Sequence, residues 1–325
     1  MRPLRLGVLN AGLIVLLLAA GLLSLLAGVR WYTPQALFAG DGMTRQILLG
    51  IRLPRTICAA LVGALLAFSG QLMQALARNP IADPSILGVN SGATLVLMLG
   101  GLAGLDLTIA NTVWLSFLGA CVAFFIVLAL AMRRGGLDIL RFILGGTVLS
   151  SLLTCIAYAV GLLTNSTAQF RNLLVGGFAN ATPTQAKVLI FATALIILVT
   201  LCAHKELSLM VLDDATAKSL GINPGRVRLL AACLVVACAG MAVAIAGNIG
   251  FVGLGIPQII AYCHPDRLER NVAPTMLAGA GFMLIVDILA KTLTAPNELP
   301  LSALSAICGG EFLFLILARF KEAQS

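Results

Sequence analysis

The sequence has few charged side chains and almost no histidine. Asp, Glu, Lys and Arg make up only 10% of its 325 residues, and there are two histidines. Hydrophobic residues account for 60%, which is more apolar surface than a soluble domain of this size can keep from water, so the composition indicates a polytopic membrane protein. The net charge of +8 comes without basic patches that alternate with aromatic residues. We therefore expect no nucleic-acid partner and attribute the charge to cytoplasmic loops, which are rich in Lys and Arg.

Motifs for nucleotide, metal and hydrolytic chemistry are also missing. The sequence contains no GxxxxGK[ST], HExxH or GxSxG, so we expect no ATP site and no hydrolase site on this chain. The eight cysteines form no CxxC pair, and with two histidines they cannot build a zinc site by spacing. We expect a protein that is not an enzyme and that binds no cofactor or metal itself.

Apolar runs predict an all-α membrane protein with ten spans. The first, Leu6–Val29, follows Arg2 and Arg5 and is longer than the apolar core of a cleavable signal, so we interpret it as a retained helix. Most Lys and Arg residues then fall in segments on the cytoplasmic side, which places both termini inside. The remaining spans are predicted at about 56–77, 91–105, 113–132, 141–163, 185–204 and 226–246, in a short helix ending near Cys263, and at 272–293 and 301–319. The whole chain, 1–325, is one transmembrane domain.

Two irregular segments interrupt the spans. Ile81–Asn90 follows Pro80 and contains Pro84, and Gly247–Leu254 is rich in glycine. Non-helical backbone at membrane depth is tolerated only where it is buried in protein or lines a cavity. We therefore expect Ile81–Asn90 to lie in one of these two settings.

The second span carries small residues on one face and two amides near its end. Ala59, Gly63, Ala67 and Gly70 are spaced for close helix contact. Two polar residues, Gln71 and Gln74, follow these small residues. Their side chains either form hydrogen bonds between helices or line a pathway.

Charged residues within the spans are candidates for function. Asp287 and Lys291 lie four apart, hence on one helix face. They are either an internal ion pair or functional membrane charges. Glu311 is nearly the only other carboxylate in the spans, whereas an ion-coupled carrier usually has a chain of them. A stand-alone, ion-coupled secondary transporter remains the alternative function.

The segment 205–225 is the longest polar interruption. Asp213 and Asp214 suit the start of a short helix, and Gly221 suits its C-terminal cap. The pattern predicts two short amphipathic helices on the membrane surface that dock into a partner. The alternative is a solvated loop.

Several motifs together resemble the permease subunits of the bacterial ABC importers for iron-siderophore complexes, haem and vitamin B12. They are RLPR at 52–55, GALLAFSGQLMQ at 63–74, RNPIADPSILGVNSGA at 78–93, LDDATAKSLGI at 212–222, GNIGFVGLGIP at 247–257, and the run from Pro274 through Asp287 to Pro300. The resemblance covers nearly the whole length. It implies a type II importer permease with ten helices in the bacterial inner membrane. It also implies a second permease, two cytoplasmic ATPases that bind ATP and Mg²⁺, and a periplasmic binding protein. The cargo is an iron chelate, with a ferric siderophore expected first, then haem, then a corrinoid.

The resemblance also assigns roles to residues. The ATPase-coupling positions are Leu212, Asp213, Asp214, Ala215, Thr216, Lys218, Leu220 and Gly221. Three cations, Arg52, Arg55 and Lys291, match positions that dock the binding protein; the alternative for RLPR is an interfacial turn that anchors a helix end. The translocation path is expected near Ser69, Gln71, Gln74, Asn172 and Phe178.

Two departures from the family pattern concern the inner gate and the permease pair. Gln258 follows Pro257 where the family usually has histidine, and Gly309-Gly310-Glu311 replaces a glycine-x-proline. Both favour a pair of two different permeases over two copies of this chain.

Overall fold

The computed structural model describes residues 6–36, 41–105, 108–133, 136–164, 174–208, 210, 223–265 and 268–311. Within these ranges the chain is a helical bundle with one small β-hairpin, which confirms the all-α class. The α-helices in chain order are α1 (Leu6–Leu26), α2 (Gly42–Gln46), α3 (Leu53–Ala77), α4 (Val89–Leu102), α5 (Ile109–Ala131), α6 (Ile139–Leu163), α7 (Pro183–Cys202), α8 (His204–Ser208), α9 (Pro224–Ala246), α10 (Val252–Cys263) and α11 (Leu268–Thr292), with α12 covering residues 301–311. A short 3-10 helix, Pro84–Leu87, lies before α4. The hairpin pairs Met132–Arg133 with Gly136–Leu137 in antiparallel register.

The membrane spans follow the sequence prediction. Seven helical stretches of the described chain are long and apolar enough to cross a membrane, and α4 and α10 are shorter apolar helices. Together with α12, of which residues 301–311 are described, they overlap the ten predicted spans. Four of the described helices begin with a side-chain N-cap, which is Thr108 for α5, Asp138 for α6, Thr182 for α7 and Asn223 for α9. Thr182 forms a capping box with Gln185.

The second span begins earlier than predicted. We expected the second span to begin at about residue 56, but the chain is helical from Gly42 to Ala77. A π-helical turn, Ile47–Arg52, joins α2 to α3, and Pro54 lies in the first turn of α3. Proline is tolerated in a first turn, and the wider π turn before it keeps the helix continuous although Pro54 donates no backbone hydrogen bond.

The core is built around α3, which is buried along most of its length. A Cβ atom at Gly63 would overlap the carbonyl group of Gly279 in α11, and one at Gly70 would overlap the backbone of Gly253 in α10. Ala59 and Ala67 on the same face have no exposed surface. The prediction of close packing along this face is therefore confirmed.

In contrast to α3, α6 lies at the periphery. Only 11% of its most apolar stretch is buried within the chain. Its outward side chains are large and apolar, as lipid or another membrane subunit would require. They include Leu140, Leu144, Val148, Leu152 and Leu162.

Candidate functional site

A cluster of four ionised side chains lies where α3 begins and α11 ends. Arg55 Nη2 donates to Asp287 Oδ1 at 2.8 Å, and Arg55 Nη1 and Nη2 donate to the two carboxylate oxygens of Glu298 at 2.5 and 3.0 Å. Lys291 Nζ lies 3.2 Å from Asp287 Oδ2. The two cations and two carboxylates balance, which is how buried charges become tolerable in a low-dielectric interior.

The cluster joins three helices. Asp287 and Lys291 are one turn apart in α11 and face the first turn of α3, where Arg55 lies. Lys291 Nζ also donates to the carbonyl and hydroxyl oxygens of Ser24 in α1, at 2.8 and 2.9 Å. Ser24 Oγ lies 3.1 Å from Thr56 Oγ1. Of the alternatives for Asp287 and Lys291, the internal ion pair is confirmed.

Arg52 lies one turn before Arg55 and binds the end of α1. Its guanidinium donates to the carbonyl oxygens of Leu25, Leu26 and Arg30 and stacks over the ring of Tyr32 at 4.8 Å. The last carbonyls of a helix lack intrahelical partners, and cations stabilise that end. The contact lies at the end of α1, which is at Leu26, three residues before the predicted Val29.

The three cations expected to dock a binding protein therefore all contact the chain itself. Arg55 and Lys291 are only 9% and 7% exposed, and Arg52 is partly exposed. Arg52 anchors a helix end, as the alternative for RLPR proposes, although from a helix and not from a turn. Docking by these residues stays a prediction.

The two irregular segments meet beside a polar cavity. Asn90, in the first turn of α4 directly after the first segment, donates a hydrogen bond from its side chain to Asn248 Oδ1 in the second segment. The adjacent Ser91 Oγ lies 2.6 Å from Ser150 Oγ in α6. The cavity of about 240 Å³ is lined by Ser85, Asn90, Ser91, Thr94, Ser150, Thr154, Leu174 and Asn248. Ala82 and Leu87 are buried and Ser85 and Asn90 line the cavity, which confirms the prediction for most of Ile81–Asn90, but Ile81 itself is 70% exposed.

Gln74 connects α3 to α10. Its Nε2 donates to the carbonyl oxygens of Gly253 and Leu254 at 3.2 and 3.0 Å, and its Oε1 accepts from Gln258 Nε2 at 2.7 Å. Gln71 Nε2 donates to the Leu268 carbonyl at 3.3 Å. In this structure both amides form hydrogen bonds between helices. Gln258, which departs from the family pattern, therefore has a hydrogen-bond partner within the chain.

The second departure lies at Glu311, whereas Gly309 keeps the glycine of the family's glycine-x-proline and its packing requires a glycine. Any side chain at position 309 would overlap the ring of Phe251. Phe251 has φ 74°, a left-handed conformation that is rare for an aromatic residue. Ser305, one turn before Gly309, donates to the Gly250 carbonyl at 3.1 Å. The segment before α10 therefore packs into a notch in α12 that glycine provides.

The remaining predicted site residues are only partly within the described chain. Ser69 is fully buried and donates to the Leu66 carbonyl of its own helix, and Phe178 is 1% exposed. Asn172 and the coupling positions lie outside the described residues; the coupling positions are Leu212, Asp213, Asp214, Ala215, Thr216, Lys218, Leu220 and Gly221. The roles in the path and in coupling stay predictions.

Sequence reasoning missed three participants in these sites. Glu298 lies in a loop, Ser24 lies in a mostly apolar helix, and Asn248 lies in a glycine-rich break between helices. A polar residue inside an apolar run was the only signal for Ser24. Glu298 stands beside Pro300 in a quoted motif, but its partner Arg55 is 243 residues away in the chain.

Two solved structures have folds similar to that of this chain. An inward-facing conformation of a putative metal-chelate type ABC transporter is similar with a TM-score of 0.87 and 28% identity, over 95% of this chain and 98% of that chain. PsaBC from Streptococcus pneumoniae is similar in fold alone, with a TM-score of 0.60 and 15% identity over 86% of this chain and 92% of that chain.

Curated relatives are permease proteins of import or transport systems. The iron(3+)-hydroxamate import system permease protein of Bacillus subtilis is 34% identical over 85% of this chain and 72% of the relative. The hemin transport system permease protein of Yersinia pestis is 34% identical over 99% of this chain and 97% of the relative. The vitamin B12 import system permease protein of Yersinia pseudotuberculosis is 32% identical over 96% of this chain and 93% of the relative. The sequence pattern of the FecCD transport family matches residues 16–319, and the chain therefore belongs to that family.

Proposed function

We propose that this chain is the membrane-spanning permease subunit of an ATP-driven importer that moves an iron chelate across the bacterial inner membrane. The observation that carries the proposal is the family match over residues 16–319. The fold similarity to a metal-chelate type ABC transporter supports it. A ferric siderophore is the first candidate for the cargo, followed by haem and then a corrinoid.

The importer would contain several further subunits. We expect a second permease, two cytoplasmic ATPases that bind ATP and Mg²⁺, and a periplasmic binding protein. A pair of two different permeases is favoured over two copies. Both termini of this multi-pass chain would then lie in the cytoplasm, and segment 212–222 would dock into an ATPase.

The ion cluster would stabilise the outer end of the permease. Arg55 and Lys291 are paired inside the chain, so their contribution to docking would be to hold the ends of α3, α11 and α1 in place. Arg52 is the most exposed of the three and would meet acidic groups of a binding protein first. An exposed pair contributes about 0–1 kcal/mol, so its main effect would be on orientation and encounter rate.

Affinity purification of the tagged protein from native membranes in mild detergent tests this function. We expect a P-loop ATPase at stoichiometric yield and expect the D213K/D214K variant to lose it. D41K is the matched control, because Asp41 is exposed and lies at the predicted outer end, and its side chain caps no helix. The same sample reports whether one or two permeases are present.

Two outcomes would contradict the proposal. One is D213K/D214K retaining the ATPase and full uptake, which would refute the coupling role of the loop. The other is a single chain that transports in liposomes without ATP and stops when a protonophore is added. That result would support the ion-coupled carrier.

A further inference from the structure

Two apolar cavities lie side by side between the end of α7 and the start of α9, on the side that the predicted topology places in the cytoplasm. They have volumes of about 520 and 500 Å³ and share three lining residues, Val199, Arg226 and Leu230. The first extends to Glu206 in α8, and the second extends along the two helices as far as Ala237. Because of the shared residues the cavities are two branches of one groove, which we call the α7–α9 groove.

The length of the groove corresponds to one leaflet of a membrane. Its lining on α9 runs from Arg226 to Ala237, eleven residues along the helix, which is about 16 Å at the rise of an α-helix. The hydrocarbon core of a bilayer is roughly 30 Å thick, so the groove covers about half of it. Several of the lining residues recur three or four positions apart and therefore share one face of α9; they are Arg226, Leu230, Cys233, Leu234 and Ala237.

The groove is accessible from the membrane side of the chain. Leu195 and Leu198 of α7 are 50% and 57% exposed, and Cys202 and Cys233 are also exposed. Apolar side chains that stay exposed at membrane depth are covered by lipid or by another membrane subunit. An acyl chain suits such a lining, because it brings no polar group that would lose its hydrogen bonds there.

Two side chains of opposite charge lie at one end of this groove. Arg226 in the first turn of α9 and Glu206 in α8 are both exposed, and both line the first branch. A guanidinium binds a phosphate through parallel hydrogen bonds, and basic side chains between membrane helices hold lipid headgroups. The Glu206 carboxylate attracts a cation and repels a further negative charge. Together the two side chains complement a headgroup that carries both a phosphate and an ammonium group.

We propose that the α7–α9 groove binds one phosphatidylethanolamine molecule from the cytoplasmic leaflet. Its phosphate contacts Arg226, its ammonium group contacts Glu206, and each of its two acyl chains occupies one branch. Phosphatidylglycerol offers the same phosphate and chains but has no ammonium group for Glu206. The bound lipid connects α8 to the start of α9, which are the described helices on either side of segment 212–222.

Native mass spectrometry of the purified protein, together with the subunits that co-purify in mild detergent, tests the proposal. The delipidated sample is titrated with phosphatidylethanolamine or with phosphatidylglycerol of the same acyl chains. We expect phosphatidylethanolamine to bind about two- to fivefold more tightly, the effect of one exposed charge contact. R226Q should weaken both lipids by about two- to fivefold, whereas E206Q should abolish the preference between them.

Two further variants serve as matched controls. K205Q removes a cation from α8 beside Glu206, but Lys205 lines neither branch, so both affinities should stay within about twofold. V199W fills the space that the two branches share and should lower both affinities by at least about fivefold. V188W makes the same change at a similarly exposed valine of α7, 41% against 36%, that lines neither branch. It should bind both lipids like the unmodified protein, and gel filtration of each variant checks folding.

Four results would overturn the proposal. Phosphatidylglycerol could bind the unmodified protein as tightly as phosphatidylethanolamine. R226Q could behave like K205Q, or V199W could behave like V188W, and either result would remove the lipid from the groove. A disulfide between two permease chains through Cys202 or Cys233, formed in native membranes treated with copper phenanthroline, would assign the groove to a second subunit.

Discussion

Replacement of Asp287 by asparagine perturbs the ion cluster at its centre. The Asp287 carboxylate is fully buried and contacts both Arg55 and Lys291. Asparagine keeps the size of the side chain but removes its charge. The cluster would then hold two buried cations and one carboxylate, Glu298.

The loss of stability expected for D287N depends on the hydrogen-bond partners that Arg55 and Lys291 retain. Removal of one partner from a buried ion pair costs about 3–5 kcal/mol. Arg55 retains its two bonds to Glu298, and Lys291 retains Ser24. We therefore expect a loss of about 3 kcal/mol, at the lower end of this range. E298Q should cost less, because the Glu298 side chain is 36% exposed and water can replace part of its interaction.

A double-mutant cycle separates lost charge balance from lost packing. K291M in the D287N background removes the excess cation and restores balance between Arg55 and Glu298. We expect D287N/K291M to be more stable than the sum of the single effects predicts, by about 1–3 kcal/mol. The assay is urea unfolding of purified protein in detergent micelles, followed by tryptophan fluorescence and checked for reversibility. Strict additivity, or a D287N loss below about 1 kcal/mol, would refute the charge-balance argument.

Two further predictions concern the other contacts of α3. G63A should destabilise the protein by about 1–3 kcal/mol, because the added methyl group overlaps the Gly279 carbonyl. G12A is the control, because Gly12 is a helical glycine where an added methyl group would have no neighbour within 4 Å. G12A should be neutral or stabilising in the same unfolding assay. Q258A should cost about 0.5–1.5 kcal/mol by removing one hydrogen bond to Gln74, and Q74A should cost more because it also frees two backbone carbonyls. Equal losses for G63A and G12A, or for Q258A and Q74A, would contradict these contacts.

Structural features that depend on spacing along one helix were predictable from the sequence. The lengths of apolar runs located the spans, and the spacing of Ala59, Gly63, Ala67 and Gly70 indicated the packed face of α3. The spacing of Asp287 and Lys291 put them on one face. Each of these inferences uses only neighbours within a turn or two, where helix geometry fixes relative positions.

Pairings between distant residues were not predictable in this way. Arg55 and Asp287 are 232 residues apart, and Asn90 and Asn248 are 158 apart. A single sequence does not specify which of several polar residues meet across a bundle. The helical start at Gly42 was missed for a different reason: Arg52 and Pro54 are typical of a polar turn, whereas tertiary contacts with α1 make the segment a π-helical turn.

The contacts of α3 with its neighbours differ in their polar component. At one end Arg55 binds Asp287 and Glu298, and Gly63 meets Gly279 of α11 without space for a methyl group. At the other end Gly70 meets Gly253 of α10 just as closely, and Gln74 binds α10 by neutral hydrogen bonds, which contribute about 1 kcal/mol each. A charge-balanced buried cluster loses several times more when one partner is removed. The polar contacts that a rearrangement would break therefore cost less at α10 than in the ion cluster that joins α3, α11 and α1.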